Sequence, residues 1–527
     1  MSSRNRLVLP LILFSLAILA GCGASSFNSA TPPPGGSFSN SDLNGTYVFS
    51  AVGSNSSGVF FALVGTLVAN GSGGITGGTL DLNDPTLGVF PALAISSGSY
   101  RVTIDGRGTA TLNTSQGSIG LAFVLSSSSH GLVTRFDTSG TGSGTLDLQS
   151  TVTQSQIAGS YAFNFTGISG LNSTTGAQPT LATVGAFTLD ASGNVTSGVQ
   201  DFNNNGSSVG LVSLPLTGSV SLATVPGVAT LMTSVGTLKF DVYPVDATHL
   251  KLIEVDAAPI MVGDAFTQTS SIPTGPTVFT VAGFDTVAGG PFTAAGIIVT
   301  DGNGNVTAGS EDINDAFVAS TVTNFTGSYP ALSGGRSVLT LAGFNNGANG
   351  VLCPACQFAA YPSSGGLQLL EIDNAGSTAG VAYPQTPTAL PSAQGYGLNL
   401  TGVNAGNGTG GFEEDDIAEF TNTSGTFAGL IDINDQGTLS PDQKFGATYT
   451  ADATINGRGT VASSSFNLVS FSVDSSTTVF VEVDNNQVGL GSFGLQTPTA
   501  KSNAAAMHLA ALHLRTGARS ALRSRQK

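Results

Sequence analysis

Hydrophobic and polar residues alternate with a period of two through most of this chain. Tyr161-Ala-Phe163-Asn-Phe165 and Leu250-Lys-Leu252-Ile-Glu254-Val-Asp256 are clear cases. One face of such a segment is apolar and the other polar, the pattern of a half-buried β-strand. No stretch of the repeated body sustains the helical period. Turn-forming clusters interrupt the alternation roughly every 8–15 residues. Asp190-Ala-Ser-Gly193, Asp301-Gly-Asn-Gly304, Asp105-Gly106-Arg-Gly108 and Asn456-Gly457-Arg-Gly459 are examples. Asp-Gly and Asn-Gly accept the positive φ that tight hairpins require, so consecutive strands are predicted to pair as antiparallel neighbours.

The pattern recurs four times. Each copy ends with Asp, six residues, Gly, four residues and Gln: Asp137/Gly144/Gln149, Asp256/Gly263/Gln268, Asp373/Gly380/Gln385 and Asp484/Gly491/Gln496. Each begins with a short strand, at Tyr47, Tyr161, Thr277 and Tyr396, with a Gly six residues on at Gly53, Gly167, Gly283 and Gly402. In the middle, Asp81, Asp201, Asp312 and Asp432 each open an Asp-apolar-Asn segment. A unit of about 110–120 residues is large enough to bury its own core. The predicted repeats are 42–149, 157–268, 275–385 and 393–496.

About eight strands per unit and no helix predict an all-β fold of four tandem antiparallel meanders. Such a meander closes most naturally into a small up-and-down barrel resembling those of calycin-type proteins. A β-sandwich and a propeller-like arrangement are the alternatives. Thr269–Gly275 and Thr386–Ala393, with Pro273, Pro387 and Pro391, read as short semi-rigid linkers, so the expected picture is beads on a tether.

The chain starts with Met-Ser-Ser-Arg-Asn-Arg, a largely apolar run from Leu7 to Leu19, then Ala20-Gly21-Cys22. Thirteen residues rise only ~20 Å as helix, short for a membrane span and right for the apolar region of an export signal. Leu19-Ala20-Gly21-Cys22 resembles the bacterial lipobox. That resemblance implies a signal peptide at 1–21, Cys22 as lipid attachment site carrying acyl chains such as palmitate, and the membrane as a partner through that lipid. Gly23 after the Cys resembles the outer-membrane sorting pattern of Gram-negative lipoproteins. Residues 22–41, with Pro32-Pro33-Pro34, read as a tether. The whole chain resembles uncharacterised Gly- and Ser-rich repeat lipoproteins of environmental Gram-negative bacteria, a resemblance that supplies an address and no activity.

Composition sharpens this picture. The 71 glycines are explained by turns and bulges rather than by linkers. The net charge of −16 hides its distribution: residues 23–500 carry eight basic groups against all 32 acids, a balance of −24. A body this acidic repels phosphate backbones, which excludes nucleic acid as a partner of the main domains. The tail 501–527 carries six basic groups and no acid, and reads as disordered or as a helix with a basic stripe of Arg515, Arg519 and Arg523.

Four groups of residues have the composition of chemical sites. Asp301, Asn303 and Asn305, with Asp312 at the twelfth position, mimic calcium-loop spacing, but Val306 stands where that loop requires Gly. A hairpin turn is the competing reading. Glu254/Asp256, Glu371/Asp373 and Glu482/Asp484 place two carboxylates on one strand face, as glycoside hydrolysis would need, although Arg135 replaces the Glu in the first copy. A solvated strand edge whose Asp braces a turn is the alternative. Glu413-Glu414-Asp415-Asp416 reads as a solvated acidic loop, or else as a cation or basic-partner patch. Cys353-Pro-Ala-Cys356 in an exported chain predicts a local disulfide. His130 and His249 are equivalent, but Gly366 and Thr477 stand in the other copies, which argues against a shared base. No cofactor motif is present. The expectation is a non-enzymatic, lipid-anchored envelope protein that binds, adheres or spaces, with an unknown protein, glycan or small molecule as ligand. A ligand-carrying barrel and an exported hydrolase of glycans are the alternatives. A filled barrel interior favours the first, a hollow polar one the second.

Overall fold

The computed structural model describes residues 32–498 except 348–349, 387–388 and 406–410. Cys22, the expected signal segment and the basic tail lie outside the described residues. The described chain is all β, apart from two short 3-10 turns. It forms four antiparallel barrels, one per repeat. The third and fourth are closed barrels of eight strands each. The first is also an eight-stranded ring, because Phe60–Asn70 pairs with Gly74–Asp84 and the latter meets Ser97–Val102; Gly88–Ala94 is an added flap strand. In the second, one isolated bridge, Asn194↔Ser219, joins the strands Val195–Asn204 and Thr217–Ser221 across the remaining gap. The barrel expectation therefore holds, and the sandwich and propeller do not.

Closure brings the first strand of each unit against its last: Tyr47 opposite Leu148, Tyr161 opposite Thr267, Thr277 opposite Pro384 and Tyr396 opposite Leu495. The repeated glycines sit on these closing strands. A Cβ on Gly144, Gly263, Gly380 or Gly491 would lie 1.9–2.2 Å from a backbone carbonyl oxygen of the first strand. The two strands can coil this tightly against each other only where one has no side chain. Alternation then sends every second residue inward. Phe163, Phe165, Phe187 and Phe240 fill the second barrel, and Tyr396, Phe420, Phe427, Phe480 and Phe493 the fourth. The first and third are filled in the same way around Phe49, Phe61 and Phe123, and around Phe279, Phe325 and Phe358.

The barrels are not beads on a string. Outward strand faces of the second, third and fourth units share one buried apolar cluster, including Val184, Val381, Val403 and Phe471. The first unit packs on the second through Val52, Val64, Tyr243 and Ile253, and on the fourth through Val124 and Ile417. The fourth unit thus returns to the first, and the four barrels close into a ring. The linkers are docked as well: the Thr269 amide donates to the Pro362 carbonyl at 3.1 Å and that of Thr386 to Val473 at 2.8 Å. So is the described part of the expected tether. Phe38 is buried in the first core, and Pro33 lies against Gly395 of the fourth barrel.

Gly380→Ala places a methyl group 1.9 Å from the Thr280 carbonyl oxygen, between two paired backbones that cannot separate without opening the barrel. The expected loss is at least about 3 kcal/mol. Thermal unfolding followed by far-UV circular dichroism measures it.

Candidate functional site

The polar residues that recur in sequence meet at the four joints between barrels. Asn83, Asn203, Asn314 and Asn434 each point outward from the third strand of a barrel, and each amide clamps a turn of the next barrel. Asn83 Nδ2 donates to the Glu254 and Asp256 carbonyls at 2.8 and 2.9 Å. Asn203 reaches those of Glu371 and Gly376, both at 2.9 Å, and Asn314 those of Glu482 and Asp484 at 3.0 and 2.8 Å. Asn434 completes the ring by donating to Arg135 and Gly140 of the first barrel at 2.8 and 2.9 Å. The terminal Gln of each repeat is a second clamp on the same neighbour. Gln149, Gln268, Gln385 and Gln496 donate to the carbonyls of Pro244, Gly335, Ser472 and Asp105, between 2.7 and 3.0 Å.

The repeated Asp, two residues before each Asn, adds charge to the joint. Arg336 holds Asp201 through Nε and Nη2 at 2.7 and 2.8 Å, and the Tyr361 hydroxyl also donates to it. Arg458 holds Asp312 in the same bidentate way and turns its third nitrogen to Asp452. Arg107, fully buried, bridges Asp105, Asp432 and Asp442 at 3.1–3.2 Å. Each of these arginines comes from the turn that opens a strand of the following barrel, including the Asp-Gly-Arg and Asn-Gly-Arg turns seen in the sequence. The turn signal was legible. That its Arg would reach another barrel was not, since nothing local marks a contact made over 130 residues away.

Asp312 is therefore bound to Arg458 and is not brought to Asp301. Asp301 accepts from the backbone amides of Asn303 and Asn305 at 2.7 and 3.0 Å and from Asn305 Nδ2 at 2.7 Å. Those bonds describe an exposed hairpin turn, and the calcium-loop reading is corrected accordingly. Cys353 and Cys356 are joined in a disulfide with Cα atoms 5.4 Å apart. Asp373 lies near enough to the sulfurs to complete a three-ligand cluster. Its oxygens accept from Asn346, Ala375 and Gln357, which fixes the turn instead.

The acidic pairs differ from the solvated edge that the sequence predicts. Glu254, Glu371 and Glu482 point into the barrels in register with the core and are buried. Only the Asp of each pair behaves as expected. Asp484, for example, accepts from the Asn486 and Asn467 amides at 2.9 and 3.1 Å. Glu413–Asp416 likewise is not a solvated loop. It lies within the strand Phe412–Thr423, with Glu413, Asp415 and Asp416 buried. Asp415 accepts from Thr141 and Ser143 of the first barrel at 2.8 and 2.6 Å, and Ser54 donates to Glu413. Alternation accounts for the error: 413 and 415 face the neighbouring barrel, while 414 and 416 share the inward register of Ala418 and Phe420. Both histidines are hydrogen-bonded to aspartates, His130 to Asp147 at 2.7 Å and His249 to Asp264 at 2.6 Å. Buried Lys251 sits between those aspartates at 3.6 and 3.1 Å.

Burial without enough cations raises the carboxyl pKa values. Desolvation pushes Glu254 to about 8, and it also takes Asp315 to about 8 beside Asp285 and Glu419 to about 8 beside Asp105. Asp415 is raised less, to about 6, because the hydroxyls of Ser143 and Thr141 oppose its desolvation. One cleft, of about 550 Å³, lies between units and is lined by Ile297, Val299, Ser310 and Asn324 of the third barrel and Thr454 and Asn456 of the fourth.

Fold and joints together define a closed ring of four up-and-down barrels. No protein-family model matches the chain, and no curated protein does. Among solved structures, a mutant of the vaccine antigen transferrin binding protein B from Haemophilus parasuis matches at 11% identity. That match covers 70% of this chain and 83% of the other, with a TM-score of 0.18. The translocation pore of the P pilus usher matches at 10% identity over 86% and 98%, with a TM-score of 0.13. At such scores neither likeness bears on function.

Two outcomes follow from this geometry. Arg458→Ala strands the buried Asp312 carboxylate and should cost about 3–5 kcal/mol in thermal or urea unfolding, with Arg458→Lys intermediate. The raised carboxyls also set a pH dependence. Below about pH 4 the folded and unfolded chains both hold these protons. Between about pH 4 and 8 the unfolded chain releases them while the folded chain keeps them, so stability falls as pH rises and levels off above about 8. Melting temperatures from circular dichroism should therefore decline from pH 4 to about 8 and flatten from there to pH 9.

Proposed function

We propose that this chain is a lipid-anchored protein of the bacterial cell envelope whose barrel ring serves as a rigid, non-enzymatic binding or spacing module. The observation that carries the reading is the filled interior of each barrel, where aromatic side chains occupy the volume that a carried ligand would need. Recognition then belongs to the outer surface. Leu87 and Val318, each six residues beyond the repeated Asp, expose apolar side chains at equivalent hairpins, as does Val209 in the second unit. Repeated apolar tips on a polar, acidic surface suit a protein or glycan partner better than a soluble metabolite. The lipobox resemblance at Cys22 supplies the anchor, and the outer membrane is the site that Gly23 favours. The glutamates of the Glu-x-Asp pairs are buried inside barrels while their aspartates brace turns, and neither lines the inter-barrel cleft, which supports a binding role over glycan hydrolysis.

The test is metabolic labelling with an alkyne palmitate analogue, followed by membrane fractionation. The full chain is expected to label and to sediment with the outer membrane. Cys22→Ala should lose both while melting at an unchanged temperature. Labelling that survives Cys22→Ala would overturn the anchor.

A further inference from the structure

Three of the four joints place an arginine on the repeated Asp, and the first does not. The strand register shows what replaced it. Gly227 pairs with Val242 as Ser337 pairs with Ala360 and Gly459 with Ser470, so Pro226 occupies the position of Arg336 and Arg458. By the same register Tyr243 is the counterpart of Tyr361, and Asp241 stands where the third barrel has Ala359 and the fourth Val469. The joint between barrels one and two has thus lost a guanidinium and gained a carboxylate. Asp81 and Asp241 are electrostatic neighbours there, with Tyr243 beside them.

The hydrogen bonds are incomplete in a way that points to a ligand. Asp81 is 1% exposed. Its Oδ1 accepts from the Ala92 backbone amide, as the equivalent oxygen of Asp201 accepts from Ser213 and that of Asp432 from Asp442. Its Oδ2, the counterpart of the oxygen that receives a guanidinium elsewhere, makes no hydrogen bond of 3.5 Å or less, and the groups that interact with this carboxyl in place of a cation are the Tyr243 hydroxyl and the Asp241 carboxyl. The Tyr243 hydroxyl, on a side chain also 1% exposed, lies beyond 3.5 Å from any partner although Asp81 is its neighbour, whereas the hydroxyl of Tyr361 donates directly to Asp201. Buried polar atoms without partners destabilise a fold, and two neighbouring carboxylates add repulsion. The basic side chains of the second barrel are committed elsewhere, Lys251 to Asp147 and Asp264 and Lys239 to Asp256.

We propose that the joint between the first two barrels is a divalent cation site, with Asp81 Oδ2, Asp241 and the Tyr243 hydroxyl as its protein ligands and the cation standing where arginine stands in the sister joints. The donors are all oxygen and carry two negative charges. That set suits a hard ion such as calcium, which tolerates irregular oxygen coordination, better than zinc or copper. The cation ties barrel one to barrel two as Arg336 and Arg458 tie the next pairs, so metal occupancy becomes a condition of ring rigidity at one joint only.

The test uses the full chain at pH 7.5, freed of metal with a chelator and then titrated with calcium chloride, in calorimetry and in melts followed by circular dichroism. Calcium should raise the wild-type melting temperature by at least about 2 °C. Asp241→Ala, which copies the third barrel, should melt higher than metal-free wild type and lose this response, with affinity for the strongest site reduced at least tenfold. Should Asp241→Ala fail to fold, Tyr243→Phe removes one ligand and one hydroxyl that lies beyond hydrogen-bond reach, and should weaken calcium affinity without lowering metal-free stability. Two results overturn the proposal. One is an equal calcium response in wild type and both variants, which assigns binding to other acidic groups. The other is a melting temperature that ignores calcium but changes with pH between 6 and 8 by an amount that Asp241→Ala reduces, which makes the occupant a proton.

Discussion

The architecture depends on one contact made four times: an asparagine amide on the third strand of a barrel donating to the carbonyls of a turn on the next. The turn alone cannot satisfy those carbonyls, and the amide is buried. Each clamp therefore removes two sets of unpaired polar groups at once, for a net gain of order 1 kcal/mol per bond and a much larger penalty if either side is lost. Because the fourth asparagine reaches the first barrel, no barrel has a free end. The outward strand faces, apolar where they meet, then find partners all round the ring, and linkers of a few residues suffice. A string of independent barrels would leave those faces wet.

Charge is used with similar economy. Eight basic side chains serve the body of the protein. Arg107, Arg336 and Arg458 stand at joints, Lys251 stands between aspartates of two units, and Arg135 takes the inward position that glutamate holds in the other three repeats. The acids outnumber them and are buried in barrel ends and between barrels. Some must keep their protons well above the usual carboxylate range. Where no cation reaches a buried acid, hydroxyl donors and retained protons stand in, and that part of the stability is tied to acidity.

Much of this was written in the spacing of residues. Period-two alternation gave strands, Asp-Gly and Asn-Gly gave hairpins, and the Asp-x6-Gly-x4-Gln signature marked the closing strand of every unit. The middle Asp-apolar-Asn segment was equally visible as a repeat, yet its role was not. Asp81 and Asn83 sit on the outer face of a strand, where polar residues are ordinary, and nothing in the local sequence separates a residue facing water from one facing another barrel. The same ambiguity misplaced Glu413–Asp416, whose four charges read as solvated although alternate members point into a core and into a neighbour.

By itself the sequence determined the strands, the hairpins and the repeat, and favoured a barrel, because each follows from backbone conformation and side-chain periodicity over short spans. The address proposed from the residues around Cys22 rests on the same kind of local pattern. Only the tertiary structure decided that four barrels make a ring, that the scarce arginines bind acids more than 130 residues away, and that one joint lacks its arginine. Such contacts depend on which surfaces come together after each barrel has closed, and closure hides them from any local reading of the chain.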